Sequence, residues 1–378
     1  MKLTVSRTEL FNKLSAVGKV INPKTPMPVA ENFLFNIEKS KITITATDLE
    51  TTLTSVLSLE DEVGEMILAV SPKLIEVLKE MPEQLIHFNI DEDSFKIDIT
   101  NESGNYKGDF LGINVGKEGE EFPKPREISE ENQSFELASE VLFNGIYKTS
   151  FAMAEEDSRP TMTGILFDIF PENITFVATD AHKLVKYNAL GMSNGFEASF
   201  ILPKKPAQTL KNIVVKSDDM VKISFDEKNI VFELPDFMMK CRRIEGRYPN
   251  YNTVIQQNNP FKMIVDRGVL LSAVKRVKVF SNEGTGLIKL NITENNLNIS
   301  AQDIDFSTSA DETLVCQYGD DVLEISFKAK LLEEILSNIS STEVVFELTD
   351  STKPGIIVPL KNEEKEELLM LLMPMFLN

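Results

Sequence analysis

Three stretches of this 378-residue chain carry the same pattern in the same order. That internal repetition narrows the possible folds more than any single motif does. Leu3-x-Val5 followed by Leu10-Phe11-x-x-Leu14 recurs as Phe135-x-Leu137 with Leu142-Phe143-x-x-Ile146. It recurs again as Met263-x-Val265 with Leu270-Leu271-x-x-Val274. Each copy is an alternating strand that runs into apolar residues at helical spacing. A second strand–helix pair follows in each: Leu68–Val70 leads to Leu74, Ile75 and Leu78, Phe200–Leu202 to Ala207 and Leu210, and Ile325–Phe327 to Leu331, Leu332 and Ile335. Equivalent positions lie 123 to 132 residues apart, so the chain reads as three homologous domains.

Within the first repeat the pattern predicts a strand at 2–5, a helix at 7–20 and strands at 31–37, 41–47 and 51–59. A second series follows, with a strand at 65–70, a helix at 71–81 and strands at 85–90, 94–100 and 105–110. The order β-α-β-β-β therefore occurs twice per repeat. Alternation such as Ile42-Thr43-Ile44-Thr45 suits antiparallel sheets with one covered face, and the helices must do the covering. Joins rich in Gly and Pro (Gly116–Pro123, Gly246–Pro249, Met373-Pro374) put domain boundaries at 1–124, 125–250 and 251–378.

Charge is distributed unevenly. The chain carries a net −20. Helical segments 7–20, 203–216 and 267–279 net +2, +4 and +4, while 71–81, 138–153 and 328–339 net zero, so six helices hold +10 and the remainder −30. Glutamate is as good a helix former as lysine, so propensity alone does not explain the split. A face that attracts phosphates on a body that repels them suits a channel lining rather than a general polyanion binder. Cys241 and Cys316 have no partner motif and read as buried, reduced thiols of a cytosolic protein. Neither a signal peptide nor a membrane-spanning run is expected.

One corner stands out chemically. Phe176–Thr179 reads as a strand that ends in Asp180-Ala181-His182-Lys183-Leu184, and its frame recurs at Ala46-Thr47-Asp48 and Ala301-Gln302-Asp303. Asp48, Asp180 and Asp303 look at first like metal ligands. As equivalent positions of separate repeats, they should instead cap three similar turns. The sequence contains no phosphate-binding loop, His-Glu-x-x-His or Cys-x-x-Cys, so no cofactor or metal is expected. A hydrolase or transferase centred on Asp180 and His182 is the alternative reading, and it lacks an evident nucleophile.

The threefold doubled β-α-β-β-β pattern, the Ala-Thr-Asp-Ala-His-Lys-Leu corner and the ending Met373-Pro374-Met375 together resemble the bacterial sliding clamp, the DNA polymerase III β-subunit family. The resemblance implies an α+β DNA clamp of three similar domains, non-catalytic and cytoplasmic. Helices would line a ring around duplex DNA, with antiparallel sheets outside. Two copies would close head to tail through Tyr106, Val279 and Phe280. Candidate DNA contacts are Lys24, Lys73, Lys204, Lys205, Lys275 and Arg276, of which Lys24 and Lys204 match family positions.

The same resemblance implies a pocket for short linear motifs of the polymerase, clamp loader and repair proteins. It would be formed by Met162, Thr179, Ala181, His182, Lys183, Leu184, Pro249, Thr253, Val254, Thr352, Pro354, Leu371, Met373, Pro374 and Met375. His182 and Lys183 are expected on its polar rim. The chain departs from the family pattern at Ala181 (often glycine), Lys183 (often arginine), Thr253 (arginine in some members) and Phe376 (basic in some). Methionines suit a surface that must repack around several partners.

Overall fold

The computed structural model describes residues 1–375 apart from 60–62, 102–103, 112, 116–120, 156–157 and 193. Phe376 and most of the Gly116–Pro123 join therefore lie outside the described residues. Six helices match the expected ones: α1 (Arg7–Val17), α2 (Lys73–Glu80), α3 (Ser139–Thr149), α4 (Lys204–Ile213), α5 (Arg267–Lys278) and α6 (Ala329–Ser337). Several begin later or end earlier than the sequence pattern suggests; in α1 and α3 the final turn tightens into a short 3-10 segment, Gly18–Val20 and Ser150–Ala152. No helix among the described residues is long and apolar enough to cross a membrane.

The halves of each repeat are interlocked. Lys2–Ser6 opens the first half but pairs antiparallel with Leu85–Ile90 of the second, while Met66–Val70 opens the second half and pairs with Phe33–Glu38 of the first. The same exchange joins Gln133–Ala138 to Met220–Phe225 and Ala198–Pro203 to Gly164–Ile169. It also joins Phe261–Asp266 to Glu343–Leu348 and Leu323–Lys328 to Leu287–Thr293. Half a repeat thus lacks one strand of each sheet it belongs to.

By compactness the chain divides into two units, one of residues 1–143 and 208–243, the other of 144–207 and 244–378. The first holds a four-stranded and a nine-stranded sheet, the second an eight-stranded and a four-stranded sheet. In the nine-stranded sheet Phe237–Arg242 pairs with Thr51–Ser58, so strands of the first and second repeats form one surface. In the eight-stranded sheet Lys183–Leu190 pairs with Glu366–Leu372, uniting strands of the second and third. Sequence periodicity marks the repeats but carries no sign of this pairing between them.

Alternation fixes which side is covered. Ile42 and Ile44, or Ile97 and Ile99, are buried. Helices answer with stripes at i, i+3, i+4 and i+7: Leu10, Leu14 and Val17 of α1, and Leu270, Ala273, Val274 and Val277 of α5. Ser6 and Asp266 cap α1 and α5 by accepting the N–H of Glu9 (3.3 Å) and Val269 (2.8 Å). The first residue of each of these helices closes the C-terminal end of its neighbour. Arg7 donates to the carbonyls of Leu78 (2.6 Å) and Lys79 (2.9 Å) at the end of α2. Arg267 donates to Leu336 (3.1 Å) at the end of α6 and to Ser341 (2.8 Å) just beyond it.

In the second unit the core is aromatic. Phe167 stacks on Phe200 at 4.7 Å and meets Phe176 edge-on at 4.6 Å. Gly145 of α3 lies against the Phe176 ring so closely that a Cβ there would come within 2.6 Å of three ring carbons. Gly145→Ala should therefore destabilise the protein, since overpacking costs about 1–3 kcal/mol and outweighs the roughly 1 kcal/mol of helix propensity it gains. Gly268→Ala, whose Cβ meets nothing closer than 3.4 Å, should be neutral or slightly stabilising. Urea unfolding of both variants checks the opposite signs.

Candidate functional site

The corner after Asn173–Thr179 is shaped by Asp180. Its Oδ1 accepts the N–H groups of His182 (2.9 Å) and Lys183 (2.8 Å). The Thr179 hydroxyl donates to the Lys183 carbonyl (2.7 Å) and accepts from the Ala181 N–H (3.1 Å). Ala181 is held at φ 74°. The first repeat builds the same device: Asp48 Oδ1 accepts from Glu50 (3.1 Å) and Thr51 (2.6 Å), and Leu49 sits at φ 77°. In the third, Asp303 Oδ1 accepts from Asp305 (2.9 Å) and Phe306 (3.3 Å). The three aspartates make turns. The Asp180 carboxylate is directed at two backbone N–H groups and the Lys183 ammonium, not at the His182 imidazole. That leaves the Asp180–His182 reading without its acid–base pair.

Beside the corner lies an apolar floor. Leu166, Val177, Leu184, Ile201, Tyr248, Tyr251 and Leu371 pack together, with Ile244, Ile255, Leu369 and Met373 against them. Sheet register explains why. Leu166 stands opposite Val177 and Ile201 on neighbouring strands, and Leu184 stands opposite Leu371, so these side chains share one face. That face is opposite the one bearing Phe167, Phe176 and Phe200. Tyr251 anchors the segment that crosses the floor: its hydroxyl donates to Asp168 Oδ2 at 2.7 Å. Burial raises the Asp168 carboxyl above its usual range, an effect the Tyr251 bond only partly offsets.

Of the residues implied by resemblance, Leu184, Leu371 and Met373 belong to this floor. The backbone joins two of the expected walls, since Met373 N–H donates to the His182 carbonyl at 2.8 Å. Pro249 is half-buried between Tyr248 and Tyr251, and Thr253 and Val254 are exposed on the following turn. Pro374 is buried, and Met375 N–H donates to the Ser326 carbonyl at 2.9 Å. Thr352 stands exposed in a turn closed by Asp350, with Pro354 half-buried after it. Met162, in the turn Pro160–Thr163, is half-buried and is not part of the floor cluster. Eight floor residues were missed from the sequence: Leu166, Val177, Ile201, Tyr248 and Tyr251, with Ile244, Ile255 and Leu369 packed against them. The parity of alternation with Leu184 and Leu371 would have found the four on strands, Leu166, Val177, Ile201 and Leu369.

Lys183 corrects the expected rim. It is only 5% exposed, and its Nζ lies 2.8 Å from Asp180 Oδ2 and 2.9 Å from Glu334 Oε2 of α6. As the immediate neighbour of Leu184 on a strand, it must point to the helix side of the sheet. Burial works against its charge, but the bonds to Asp180 and Glu334 outweigh that and hold the ammonium above its ordinary range. His182 remains exposed, as expected of a rim group.

The first unit has the same geometry with a smaller apolar cluster. Shifting Leu166, Val177, Leu184 and Ile201 by 132 residues gives Leu34, Thr45, Thr52 and Ala69, in the same register. Lys240 stands opposite Thr52, where Leu371 stands opposite Leu184. Phe122 takes the place of Tyr248, packed with Ala69 and Val29. Two threonines, an alanine and a lysine make that surface more polar than its counterpart, although Leu34, Ile113 and Val115 pack against Val29, Ala69 and Phe122.

The basic residues divide by partner. Lys24 (between two short helical turns), Lys73 (first residue of α2) and Lys275 (α5) are exposed. Lys204 and Lys205 begin α4 and are half-buried; Lys204 pairs with Glu155 at 2.5 Å. Arg276 forms a two-point bond with Glu312, both distances 2.7 Å. Lys278 pairs with Glu333 at 2.5 Å and Lys216 with Glu140 at 3.6 Å. The helical +10 therefore overstates the charge open to a ligand, and Arg7 and Arg267 within it are helix caps. Tyr106 is exposed on Gly104–Leu111, the outermost strand of the first unit's four-stranded sheet. In the second unit Val279 (77% exposed) and Phe280 follow α5, and Ile304 (79%) and Phe306 (75%) stand exposed on the Asp303 turn.

Interlocked β-α-β-β-β halves, with paired helices on one face and sheets shared between successive repeats, define a DNA-clamp fold. The N-terminal, central and C-terminal domain families of the DNA polymerase III beta subunit match residues 1–110, 136–250 and 252–375. The chain belongs to the DNA polymerase III beta subunit family. It is 27% identical over 374 residues to the beta sliding clamp of Pseudomonas aeruginosa, covering 98% of this chain and 99% of that one. To the beta sliding clamp of Synechococcus elongatus it is 25% identical over 370 residues, covering 95% and 96%. The crystal structure of the P. aeruginosa clamp bound to griselimycin superposes with a TM-score of 0.92 at 26% identity, covering 100% of both chains.

The two left-handed corners predict a common response. A non-glycine residue at positive φ carries a steric penalty of about 1–2 kcal/mol that glycine relieves, against a smaller gain of freedom in the unfolded chain. Ala181→Gly and Leu49→Gly should each stabilise their corner or leave it unchanged. Chemical unfolding of the two variants measures this.

Proposed function

We propose that this chain is a non-catalytic sliding clamp: two copies close head to tail around duplex DNA and tether a polymerase for processive synthesis. The observation that carries the reading is the clamp fold over the whole chain. Each protomer would contribute three clamp domains, 1–124, 125–250 and 251–378. Lys24, Lys73, Lys204, Lys205, Lys275 and Arg276 would face the DNA, and the protein would act in the cytoplasm. Sliding needs weak phosphate contacts without base readout; scattered exposed lysines give contacts of that kind, and Lys204 and Arg276 are already shared with carboxylates. Two outermost strands, Gly104–Leu111 and Thr308–Val315, offer unpaired backbone edges of the sort that join copies. Tyr106, Val279 and Phe280 supply exposed apolar surface beside them, which supports a seam there.

The apolar floor is the docking surface for short linear motifs of the polymerase, clamp loader and repair proteins. A motif with a glutamine and two apolar anchors would gain most of its affinity from the anchors, at about 25 cal/mol per Å² removed from water. Tethering by such a motif raises the effective concentration of the polymerase at the primer end without any grip on the DNA.

Closure and salt give one test. After a clamp loader has placed the protein on closed circular DNA, it should stay bound at salt that strips it from linear duplex, and cutting the circle should release it. Val279→Ala combined with Phe280→Ala should yield folded monomers by light scattering and abolish that retention. Equal retention on circles and linear duplex would sink the ring.

The floor gives another. One peptide should bind per chain, because the matching surface of the first unit is more polar. Leu371→Lys, which copies Lys240 from that surface, should abolish binding by fluorescence anisotropy while light scattering still shows the dimer. A Leu371→Lys dimer that binds as tightly as the parent would refute the placement.

A further inference from the structure

Lys183 is the feature that the family resemblance misplaces, and its surroundings give it a different task. Its ammonium is nearly inaccessible and sits between a carboxylate of its own corner and one of α6. The connections continue from there. Asp180 bonds Lys183 through Oδ2 and uses Oδ1 to hold the N–H groups of His182 and Lys183. The His182 carbonyl then accepts the N–H of Met373, the floor residue at which the strand Glu366–Leu372 gives way to the terminal segment. A helix on one face of the sheet is thus tied through a single buried cation to the two chain segments that border the apolar floor on the other.

α6 is itself fixed from two directions. Glu333 pairs with Lys278 of α5 at 2.5 Å while the next residue, Glu334, takes Lys183. Both carboxylates of this helix are therefore bridges to its surroundings. The corner that Lys183 braces also needs bracing, because Ala181 holds a left-handed conformation that an alanine does not prefer. In a chain with glycine there, the turn would be easier to form unaided.

We propose that Lys183 is a positioning residue for the peptide site: by joining Asp180 to Glu334 it holds the His182 corner and the Met373 segment in the spacing that an apolar anchor requires, and it does not touch the peptide. The proposal rests on the reading of the floor as a peptide-docking surface and adds the residue that sets its width. The site then depends on α6 for its shape although α6 contributes nothing to its lining.

Three variants of the full chain test it: Lys183→Met, which keeps length and loses charge; Lys183→Arg, which keeps charge; and Glu334→Gln, which leaves the bond to Asp180. Arg267→Met serves as a control that loses a half-buried cation bonded at the far end of α6 and just beyond it. The probe is a fluorescein-labelled hexapeptide with one glutamine and two leucines. Lys183→Met should weaken its binding by about tenfold, with Glu334→Gln between it and the parent and Lys183→Arg close to the parent. Hydrogen exchange followed by mass spectrometry should show faster exchange at 179–184 and 368–375 in Lys183→Met, restored in Lys183→Arg. In Arg267→Met both the affinity and the exchange of those segments should stay at the parent's level, however far its melting temperature falls. The proposal is overturned if Lys183→Met binds as the parent does, or if Arg267→Met loses as much affinity. A parent protein that binds no peptide would remove the docking reading itself, and this proposal with it.

Discussion

The antiparallel pairing of Lys183–Leu190 with Glu366–Leu372 holds the second unit to its purpose. Seven residue pairs, from Lys183 opposite Leu372 to Ala189 opposite Glu366, make strands of the second and third repeats one surface. Their register decides everything on that surface. A slip by one residue would turn Leu369 and Leu371 to the helix side and bring Met370 and Leu372 out. Side chains at the far end guard against the slip. Glu366 accepts from the Tyr187 hydroxyl (2.6 Å) and Asn144 (2.9 Å) and pairs with Lys148, while Asn188 donates to Glu367 (3.0 Å). Burial favours the neutral acid at Glu366, but Lys148, Tyr187 and Asn144 together hold it below the usual carboxylate range. An ionic cluster at one end of the strand and an apolar floor at the other thus depend on the same alignment.

Several cations of the helices and the corner have partners. Arg7 and Arg267 close neighbouring helices, Lys183 braces a corner, and Lys204, Arg276 and Lys278 meet carboxylates. The more exposed of these ion pairs, such as Arg276 with Glu312, contribute little to stability. They do moderate the field of a basic face, and a protein that must move along a polyanion benefits from moderate attraction more than from strong attraction.

Much of the fold was legible because the chain writes it three times. Strands and helices fell within a few residues of their places, since apolar periodicity is a local property and its repetition removed ambiguity. The three aspartate turns followed from equivalence between repeats, and Cys241 and Cys316 are free and buried as read. What could not be read was anything that depends on pairing at long range. Strand exchange within repeats, the joining of sheets between them, and the assembly of Leu166, Val177, Ile201 and Leu371 into a floor all rest on register, which alternation leaves open. Lys183 was misjudged for the same reason. The family resemblance implied a polar rim, while strand parity sends it to the opposite face, where Glu334 awaits it from 151 residues further along the chain.

Strand exchange within each repeat also sets a timetable for synthesis. Lys2–Ser6 has no strand partner until Leu85–Ile90 has emerged, and Phe261–Asp266 has only the bridge from Ile264 to Gln317 until Glu343–Leu348 follows. Long-range pairings of this kind close slowly and leave apolar edges uncovered meanwhile. The strand that completes the apolar floor is the last of all those described, and its partner has by then waited for roughly half the chain to be made. A ribosome-bound or prematurely ended chain therefore presents its central corner without the Leu369, Leu371 and Met373 side of the floor. Such a fragment carries only half of the apolar floor that the finished chain closes.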